Sequence, residues 1–502
     1  MEAVLANIAQ GLLVALTPTN LLLCLIGCLL GTLIGVLPGI GPTATVAMLM
    51  PITFWLPPTG ALIMLAGVFY GSQYGGSTTA ILVNLPGESS SVVTCIDGYA
   101  MAQQGRAGAA LSIAALASLF AGTVTTFVIA FAGPAIAGIA LLFQSTDYVS
   151  VMILGLVAAV VLAQGPLLNA IAMIILGVFL GLVGTDVTTS EQRFTLGIQD
   201  LFDGIGFVPV AMGMFGIAEI MLNLEARAGG AIVAKLRDRL WPSKDDFRRA
   251  TPAAARGTLL GIFLGMLPGG GSTIPSFAAY SLEKKIAKDP SRFGKGAVEG
   301  VAAPEAANNA GAQAGFIPML SLGIPPNAIM ALMIGAMMIH GIQPGPQVIE
   351  KQPELFWGLV ASMWIGNAML VILNLPLIWI WVRLLQIPYR YLYPAIIIFC
   401  CIGVYSLKNS MMEVVFMAVF GVVGYVLRKL KCEPAPLLLG FILGPMLEEN
   451  FRRSMTISGG DLSVFVTRPI SAGFLFASAL LLIAVLLPAV RKRREDGFTE
   501  AS

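Results

Sequence analysis

Two stretches of this chain carry the same interruption inside a strongly apolar run. Residues 31–43 read GTLIGVLPGIGPT, and residues 261–273 read GIFLGMLPGGGST. Both contain Leu-Pro-Gly-x-Gly-x-Thr, preceded by glycines at the same spacing. Because the same motif recurs in the two halves of the chain, the sequence indicates an internal repeat. Glycine and proline interrupt helices, so each copy is a break in an apolar segment. Paired breaks at corresponding positions of two halves are typical of a transporter's binding site.

The composition predicts a membrane protein. The chain has 502 residues, of which 57% are hydrophobic and 11% are charged, whereas soluble domains carry about 25% charged residues. Many apolar runs reach about 20 residues, the length of a helix that crosses a bilayer. These runs are continuously apolar, while the strands of a membrane barrel alternate. We therefore predict an all-α polytopic membrane protein with about 10–13 membrane segments.

Basic loops orient the chain, because cytoplasmic loops carry an excess of Lys and Arg. Residues 225–256 hold the longest basic stretch and are predicted to be a cytoplasmic connector between the halves. The tail, residues 491–502, is predicted to be cytoplasmic for the same reason. The segment 342–355 has few basic residues and fits the opposite side. Residues 1–20 are predicted to form a helix at the membrane interface.

Each half follows the same plan. Residues 257–281 lie between two basic loops, so they must enter and leave the membrane on one side. The corresponding segment of the first half enters from the other side, which predicts an inverted-topology repeat. The first repeat, 21–224, contains a re-entrant hairpin (21–54) and a broken helix (60–98), and the second repeat, 257–490, contains a hairpin (257–281) and a broken helix (300–341). Scaffold helices are predicted near 109–132, 147–163, 167–184, 205–223, 356–382, 393–405, 411–427, 434–447 and 470–490, and whether 434–447 spans is left open.

The first break lies in the 31–43 run, the second at 84–88, the third at 267–271 and the fourth at 322–327. These four breaks are expected to meet in the protein interior, because irregular backbone at membrane depth needs protein or water around it. Half-helix N-termini favour anions, and unwound carbonyls and hydroxyls suit Na⁺. No Lys or Arg lies within a break, so helix ends, amides and hydroxyls would hold an anionic substrate. The predicted substrate-binding residues are Gly39, Gly41, Thr43, Ser77, Thr78, Asn84, Gly87, Ser89, Gly269, Gly270, Gly271, Ser272, Thr273, Asn308, Asn309 and Asn327. The predicted Na⁺ ligands are Gly39, Thr43, Asn84, Gly270, Thr273 and Gly323. The alternative is that small residues only let the helices pack closely.

Acidic residues inside a membrane are costly and usually functional. Glu88 is the candidate for a proton relay, with a purely structural role as the alternative. Asp97 lies at the mouth of a basic loop, where we expect solvation at the interface, with a relay role as the alternative. Glu305 follows Pro304 and is expected to begin a helix, where an acid complements the helix dipole.

Enzyme motifs are missing from the sequence. The run that begins at Gly265 imitates a phosphate-binding loop but lacks its lysine, and neither H-E-x-x-H nor G-x-S-x-G occurs. We predict no catalytic residue and no cofactor, so transport would depend on an ion gradient or a partner. The residues alone leave open a passive anion channel, or a stand-alone transporter of another organic anion.

Five longer runs resemble one known family. They are GVLPGIGPT (35–43), YGGSTTAIL (74–82), DGYAMAQQGRAGAAL (97–111), APEAANNA (303–310) and HGIQPGP (340–346). They are similar to the large membrane subunit of the tripartite tricarboxylate transporters. One departure is Ile324-Pro325-Pro326, where the family usually has Ile-Pro-Gly, because the second proline removes an N–H.

The resemblance implies a permease of the bacterial inner membrane with two partners. One partner is a small subunit of four membrane helices, and the other is a periplasmic protein that captures a carboxylate such as citrate. It also implies symport with a cation, commonly Na⁺, with H⁺ as the alternative. The carboxylate carried, the stoichiometry and the oligomeric state are left open.

Overall fold

The computed structural model describes residues 2–37, 41–163, 166–186, 189–225, 241–267, 271–384 and 392–486. Within these ranges the chain is helical apart from turns and two short strands, β1 (Gly184–Thr185) and β2 (Gln192–Arg193), which pair antiparallel. The predicted all-α class is confirmed. The small hairpin was not predicted, since two residues a strand leave no periodic signal.

The helices of the first half are α1 (Glu2–Ala15), α2 (Pro18–Val36), α3 (Pro42–Thr53), α4 (Pro58–Val83), α5 (Val92–Thr94), α6 (Ala100–Gln103), α7 (Ala107–Ala140), α8 (Ser145–Leu162), α9 (Leu167–Gly181), α10 (Phe207–Ala211) and α11 (Ala218–Glu225). Those of the second half are α12 (Lys244–Gly265), α13 (Thr273–Ile286), α14 (Glu299–Ala314), α15 (Phe316–Leu322), α16 (Ala328–Ile339), α17 (Gln347–Lys351), α18 (Pro353–Asn374), α19 (Ile378–Leu384), α20 (Leu392–Lys408), α21 (Met411–Lys429), α22 (Pro434–Ile457), α23 (Val464–Thr467) and α24 (Pro469–Leu486). There are 3₁₀ turns at Ser89–Ser91, Gln199–Leu201 and Pro290–Arg292, and π turns at Cys95–Tyr99 and Met212–Ile217.

Several helices can cross a membrane. In the described part of the chain, α2, α7, Phe207–Glu225, α18 and α21 are long and apolar enough to do so, which agrees with a multi-pass membrane protein. The central helices α4 and α14 are not among them, since α4 is rich in Gly, Ser and Thr and α14 has only 16 residues. Every residue of Gly60–Val83 and Gly300–Ala314 is buried, so protein surrounds these two helices.

A stripe of glycines joins two helices in each half. A Cβ built on Gly31 of α2 would lie 2.4 Å from the carbonyl oxygen of Val68 on α4, and one built on Gly261 of α12 would lie 2.5 Å from that of Ala307 on α14. Such close backbone approach requires glycine. The neighbouring glycines repeat the contact one turn away on either side: Gly27 with Met64, Gly35 with Ser72, Gly257 with Ala303 and Gly265 with Gly311.

The breaks after α4 and α15 share one backbone geometry. Asn84 (φ 58°, ψ 30°) and Gly323 (φ 73°, ψ 20°) end their helices in the left-handed conformation that Gly and Asn favour. Each chain then re-enters a helical turn through an extended residue, Glu88 (φ −152°, ψ 168°) or Asn327 (φ −153°, ψ 173°). The two breaks therefore share the backbone conformation of their first and last residues.

The helix α12 begins inside the predicted connector, at Lys244. The Ser243 hydroxyl accepts a hydrogen bond from the Asp246 N–H at 3.1 Å, which caps the helix. The Asp246 carboxylate also pairs with Arg106, which precedes α7, at 2.6 Å. Burial would raise the pKa of Asp246, but the hydrogen bonds from Ser243 and Arg106 outweigh it and hold that pKa below its ordinary value. The rest of the connector, 226–240, and the tail from 487 onwards lie outside the described residues.

The predicted segment 434–447 forms the first part of α22, which has 24 residues. Its buried residues lie between Pro434 and Gly444, apart from Ser454, and the more polar second part of the helix reaches Ile457. Glu448 on this helix binds Arg193 at 2.9 Å, which ties α22 to the small β-hairpin. The sequence underestimated this helix because apolar length alone does not mark a helix that continues into polar residues.

Candidate functional site

The structure describes only part of the apex of each hairpin, because residues 38–40 and 268–270 lie outside the described ranges. Gly39, Gly269 and Gly270 lie outside the described residues, so their roles stay predictions. Gly41 precedes α3, and the space where its Cβ would stand is open. Thr43 belongs to the first turn of α3, which packs against α16, the helix that Asn327 begins.

Residues from three of the four breaks meet at the start of α13. The hydroxyls of Ser89, after the second break, and Thr273 lie 2.8 Å apart, although they belong to different halves of the chain. Gly271, just before Ser272 and α13, adopts a left-handed φ of 49°. A Cβ on Gly271 would lie 3.8 Å from that of Asn327, in the fourth break. The structure thus brings together several of the predicted substrate-binding residues.

Gly87 joins the second break to the first hairpin. A Cβ at this position would lie 2.1 Å from the carbonyl oxygen of Gly35 and 2.6 Å from the Cα of Gly76. Only glycine fits between these two backbones. The corresponding position of the fourth break, Pro326, packs its ring against Gly315 instead. The second proline therefore fills space there and donates no hydrogen bond.

The predicted amide ligands have different surroundings. Asn84 is exposed at the left-handed end of α4. Asn327 caps α16, since its side-chain oxygen accepts from the Met330 N–H at 2.9 Å. Asn309 donates to Ser118 on α7 at 2.7 Å. Asn308 is 1% exposed, and its amide lies beside the Glu88 side chain.

The cap on α16 gives a direct test. We expect Asn327→Ala to lower stability by about 1 kcal/mol, because the Met330 N–H loses its acceptor. Asn327→Asp and Asn327→Ser keep a capping oxygen and should retain most of that stability. Thermal unfolding of the purified protein in detergent measures the difference, and equal midpoints for the three variants would contradict the capping role.

Glu88 begins the 3₁₀ turn after the second break. Its side chain and that of Ser91 exchange hydrogen bonds with each other's backbone N–H groups. Ser90 donates to its carboxylate at 2.7 Å and lies 3.0 Å from the side-chain oxygen of Gln73. Glu88 thus has a capping role, and its role as a proton relay stays a prediction.

Glu305 does not begin a helix, contrary to expectation, because α14 starts at Glu299. It lies inside that helix, fully buried, and contacts the other broken helix. Ser77 Oγ on α4 lies 2.5 Å from one carboxylate oxygen, and Thr94 on α5 binds the other. The helix-dipole explanation was wrong because a local pattern shows neither where the helix starts nor what packs on it.

A small cavity lies beside Glu305, with room for about one water molecule. The predicted residues Ser77 and Thr78 line it, together with Ser118 of α7 and Tyr74. The sequence did not single out Ser118, Thr94 or Gln73. Their only signal is a polar side chain within an apolar run, which is weak because Ser and Thr are common in membrane helices.

Asp97 is fully buried, so the expected solvation at the interface was wrong. One carboxylate oxygen accepts from the backbone N–H groups of Gly294, Gly296 and Ala297 at 2.8–2.9 Å. The other accepts from the Tyr280 hydroxyl at 2.9 Å. Asp97 therefore fastens the loop before α14 to the broken helix of the first half. Among the described residues, no three His, Cys, Asp or Glu side chains form a group that could hold a metal ion.

Known proteins agree with the resemblance. The sequence model of a family described as the tripartite tricarboxylate transporter TctA family matches residues 21–439. An Agrobacterium vitis protein, described as an uncharacterized 52.8 kDa protein in the TAR-I ttuC' 3' region, is 55% identical over 500 residues, which is 100% of both chains. A second A. vitis protein, described as uncharacterized in the TAR-II ttuC' 3' region, is 58% identical over 240 residues, 48% of this chain and 99% of its own. No solved structure matches the chain.

Proposed function

The chain belongs to the tripartite tricarboxylate transporter TctA family, and from this premise we propose that it is the large permease subunit of a secondary active carboxylate importer. It would lie in the bacterial inner membrane with its C-terminus in the cytoplasm. A small four-helix membrane subunit and a periplasmic binding protein would complete the transporter. The binding protein would select the di- or tricarboxylate, and the permease would move it. The chain is thus proposed to be a transporter component and not an enzyme.

The transport core is proposed to be an inverted repeat of hairpins and broken helices. Matching glycine stripes support it, because α2 packs on α4 as α12 packs on α14. The shared geometry of the two breaks supports it too. The hairpins are proposed to be re-entrant, and the second arm of the first, α3, has only 12 residues, about 18 Å of helix, which is too short to cross a bilayer.

The contact between Ser89 and Thr273 is the observation that supports the substrate site most directly, since it joins the second break to the second hairpin. We place the carboxylate where these hydroxyls meet Gly271, with the helix N-termini of α13 and α16 facing it. The remaining predicted ligands, including Gly39, Gly269 and Gly270, are proposed to complete this site. Hydroxyls, amides and N–H groups can bind an anion without a lysine or arginine, and they release it more easily than an ion pair would.

Coupling to a cation gradient is proposed to drive accumulation. The Na⁺ ligands are proposed to be Gly39, Thr43, Asn84, Gly270, Thr273 and Gly323, which would supply carbonyl and hydroxyl oxygens. Proton coupling is the alternative, with Glu88 as the relay.

Uptake by the reconstituted transporter tests the proposal. The permease, its small membrane subunit and its binding protein would be placed in liposomes with labelled citrate and other di- and tricarboxylates outside. We expect accumulation above the external concentration when an inward Na⁺ or H⁺ gradient is imposed, and none when both are collapsed. Uptake that ignores both gradients would contradict cation coupling, and single-channel currents far above transporter turnover would identify a passive channel.

A further inference from the structure

Glu305 is a buried carboxylate, and no neighbouring side chain among the described residues supplies a positive charge to balance it. The residue is 0% exposed, and within the described chain no basic side chain lies within ion-pair distance of its carboxylate. A buried carboxylate without a counter-charge is strongly unfavourable, so such a group takes up a proton or a cation.

The titratable groups around Glu305 do not provide that charge. Those that face it are Glu88, Tyr74 on α4 and Cys95 in the π turn, and none of them is cationic. The helices α7 and α15 contain no charged residue. On α12 and α13, Arg256 pairs with Glu283 at 2.6 Å. The other charges of α12 and α13 lie in their polar outer turns, from Lys244 to Arg249 and at Lys284 and Lys285.

The Ser77 hydroxyl has one hydrogen to donate and two oxygen neighbours. Its hydroxyl lies 2.9 Å from the backbone carbonyl of Gln73 and 2.5 Å from Glu305 Oε2. Both partners accept hydrogen bonds unless Glu305 is protonated, and serine has a single hydrogen to donate. With a proton on Oε2, Glu305 donates to Ser77 and Ser77 donates to the carbonyl, so both contacts are hydrogen bonds. The Thr94 hydroxyl then donates to Oε1.

Two further features place a small space and polar groups beside Glu305. The cavity beside Glu305 admits about one water molecule. The amides of Asn308 and Gln73 lie beside the Glu88 side chain, and Glu88 itself is only partly buried. A path of polar groups therefore leads from the second break towards Glu305.

We propose that Glu305 is the proton-binding carboxyl of this permease, protonated in the present conformation through its contacts with Ser77 and Thr94 and deprotonated when the two broken helices separate. Protonation joins the broken helices of the two halves, so loading and release of the proton are linked to their relative movement. This inference rests on the proposed transport function and assigns its coupling ion to a residue outside the predicted Na⁺ ligands.

Accumulation and exchange by the reconstituted transporter separate the possibilities. With Glu305→Gln, which imitates the protonated acid, we expect loss of accumulation driven by an acid-outside pH gradient. Counterflow should persist, in which labelled citrate exchanges for unlabelled citrate without net proton movement. Glu305→Asp should restore gradient-driven accumulation with a shifted pH profile. The matched control is Glu299→Gln on the same helix, whose carboxylate pairs with Arg292 outside the core and should leave both activities unchanged.

Each other outcome has a definite meaning. Normal pH-driven accumulation by Glu305→Gln would overturn the inference, as would wild-type accumulation that responds to Na⁺ alone. Loss of counterflow together with accumulation, in a variant that elutes as a monodisperse peak, would assign Glu305 to structure and also overturn it. If wild type shows neither activity with any carboxylate, it is the proposed function that fails.

Discussion

Replacing Gly87 with leucine is expected to reduce carboxylate uptake to background while the protein still inserts into the membrane. The Cβ alone would stand 2.1 Å from the carbonyl oxygen of Gly35, far inside van der Waals contact. Both neighbours, Gly35 and Gly76, contribute backbone atoms, which cannot rotate away as a side chain can. The second break must then separate from the first hairpin, and Ser89 loses its position against Thr273.

A matched control is Gly138→Leu on α7, where no atom lies within 4 Å of the position that a Cβ would take. This variant adds the same side chain to an exposed helical surface, so uptake should equal that of wild type. Labelled citrate uptake, with membrane insertion measured by extraction and size-exclusion chromatography, compares the two. A Gly87→Leu variant with full activity would contradict the assignment of the break to the transport core.

Sequence reasoning predicted the features that depend on local backbone chemistry. Gly31 and Gly261 stood out because they recur at matching positions of the internal repeat, and in the structure each lies where two helix backbones touch. The breaks were predictable because each has a proline two residues after its left-handed cap, Asn84 or Gly323. Gly and Pro impose conformation through their own covalent structure, so their positions carry this information without an alignment.

The roles of the acids could not be predicted, because they depend on contacts between distant parts of the chain. Glu305 binds Ser77 and Thr94 across the two halves, and no periodic pattern connects those positions. The rule that an acid favours the first turn of a helix was sound, but α14 begins at Glu299 and that rule applies to Glu299. Long-range packing therefore determines what each acid contacts, and the sequence alone shows only that an acid is present.

In the predicted site too, the sequence identified residues beside the breaks but not the direction of their side chains. Ser89, Gly271 and Asn327 were grouped because they flank breaks, and the structure brings them close together. Asn309 flanks a break as well, but its side chain points to Ser118 of α7. Neighbouring residues on a helix face different directions, and the helix phase relative to its partners is a tertiary property.

Removing the Asp97 carboxylate is expected to cause the largest loss of stability among single side chains near the site. Three backbone N–H groups and the Tyr280 hydroxyl donate to it. Asp97→Ala leaves the buried Ala297 N–H without an acceptor and also removes the acceptor of Gly296 and Tyr280, which are partly buried. A buried donor that loses its acceptor costs about 1–3 kcal/mol. Partial relaxation of the loop at Gly294 and Gly296 reduces the total, so we expect a loss of about 3–5 kcal/mol.

Two milder variants show whether the backbone contacts are responsible. Tyr280→Phe removes one donor and leaves the three N–H groups paired, so it should cost about 1 kcal/mol. Asp97→Asn keeps an oxygen for the N–H groups without the charge and should fall between the two. Thermal unfolding in detergent is the measurement, and equal midpoints for Asp97→Ala and Tyr280→Phe would contradict the fastening role. If the role is correct, limited proteolysis should also cut the Asp97→Ala protein first between Lys288 and Lys295, because this carboxylate is what holds that loop against the first half.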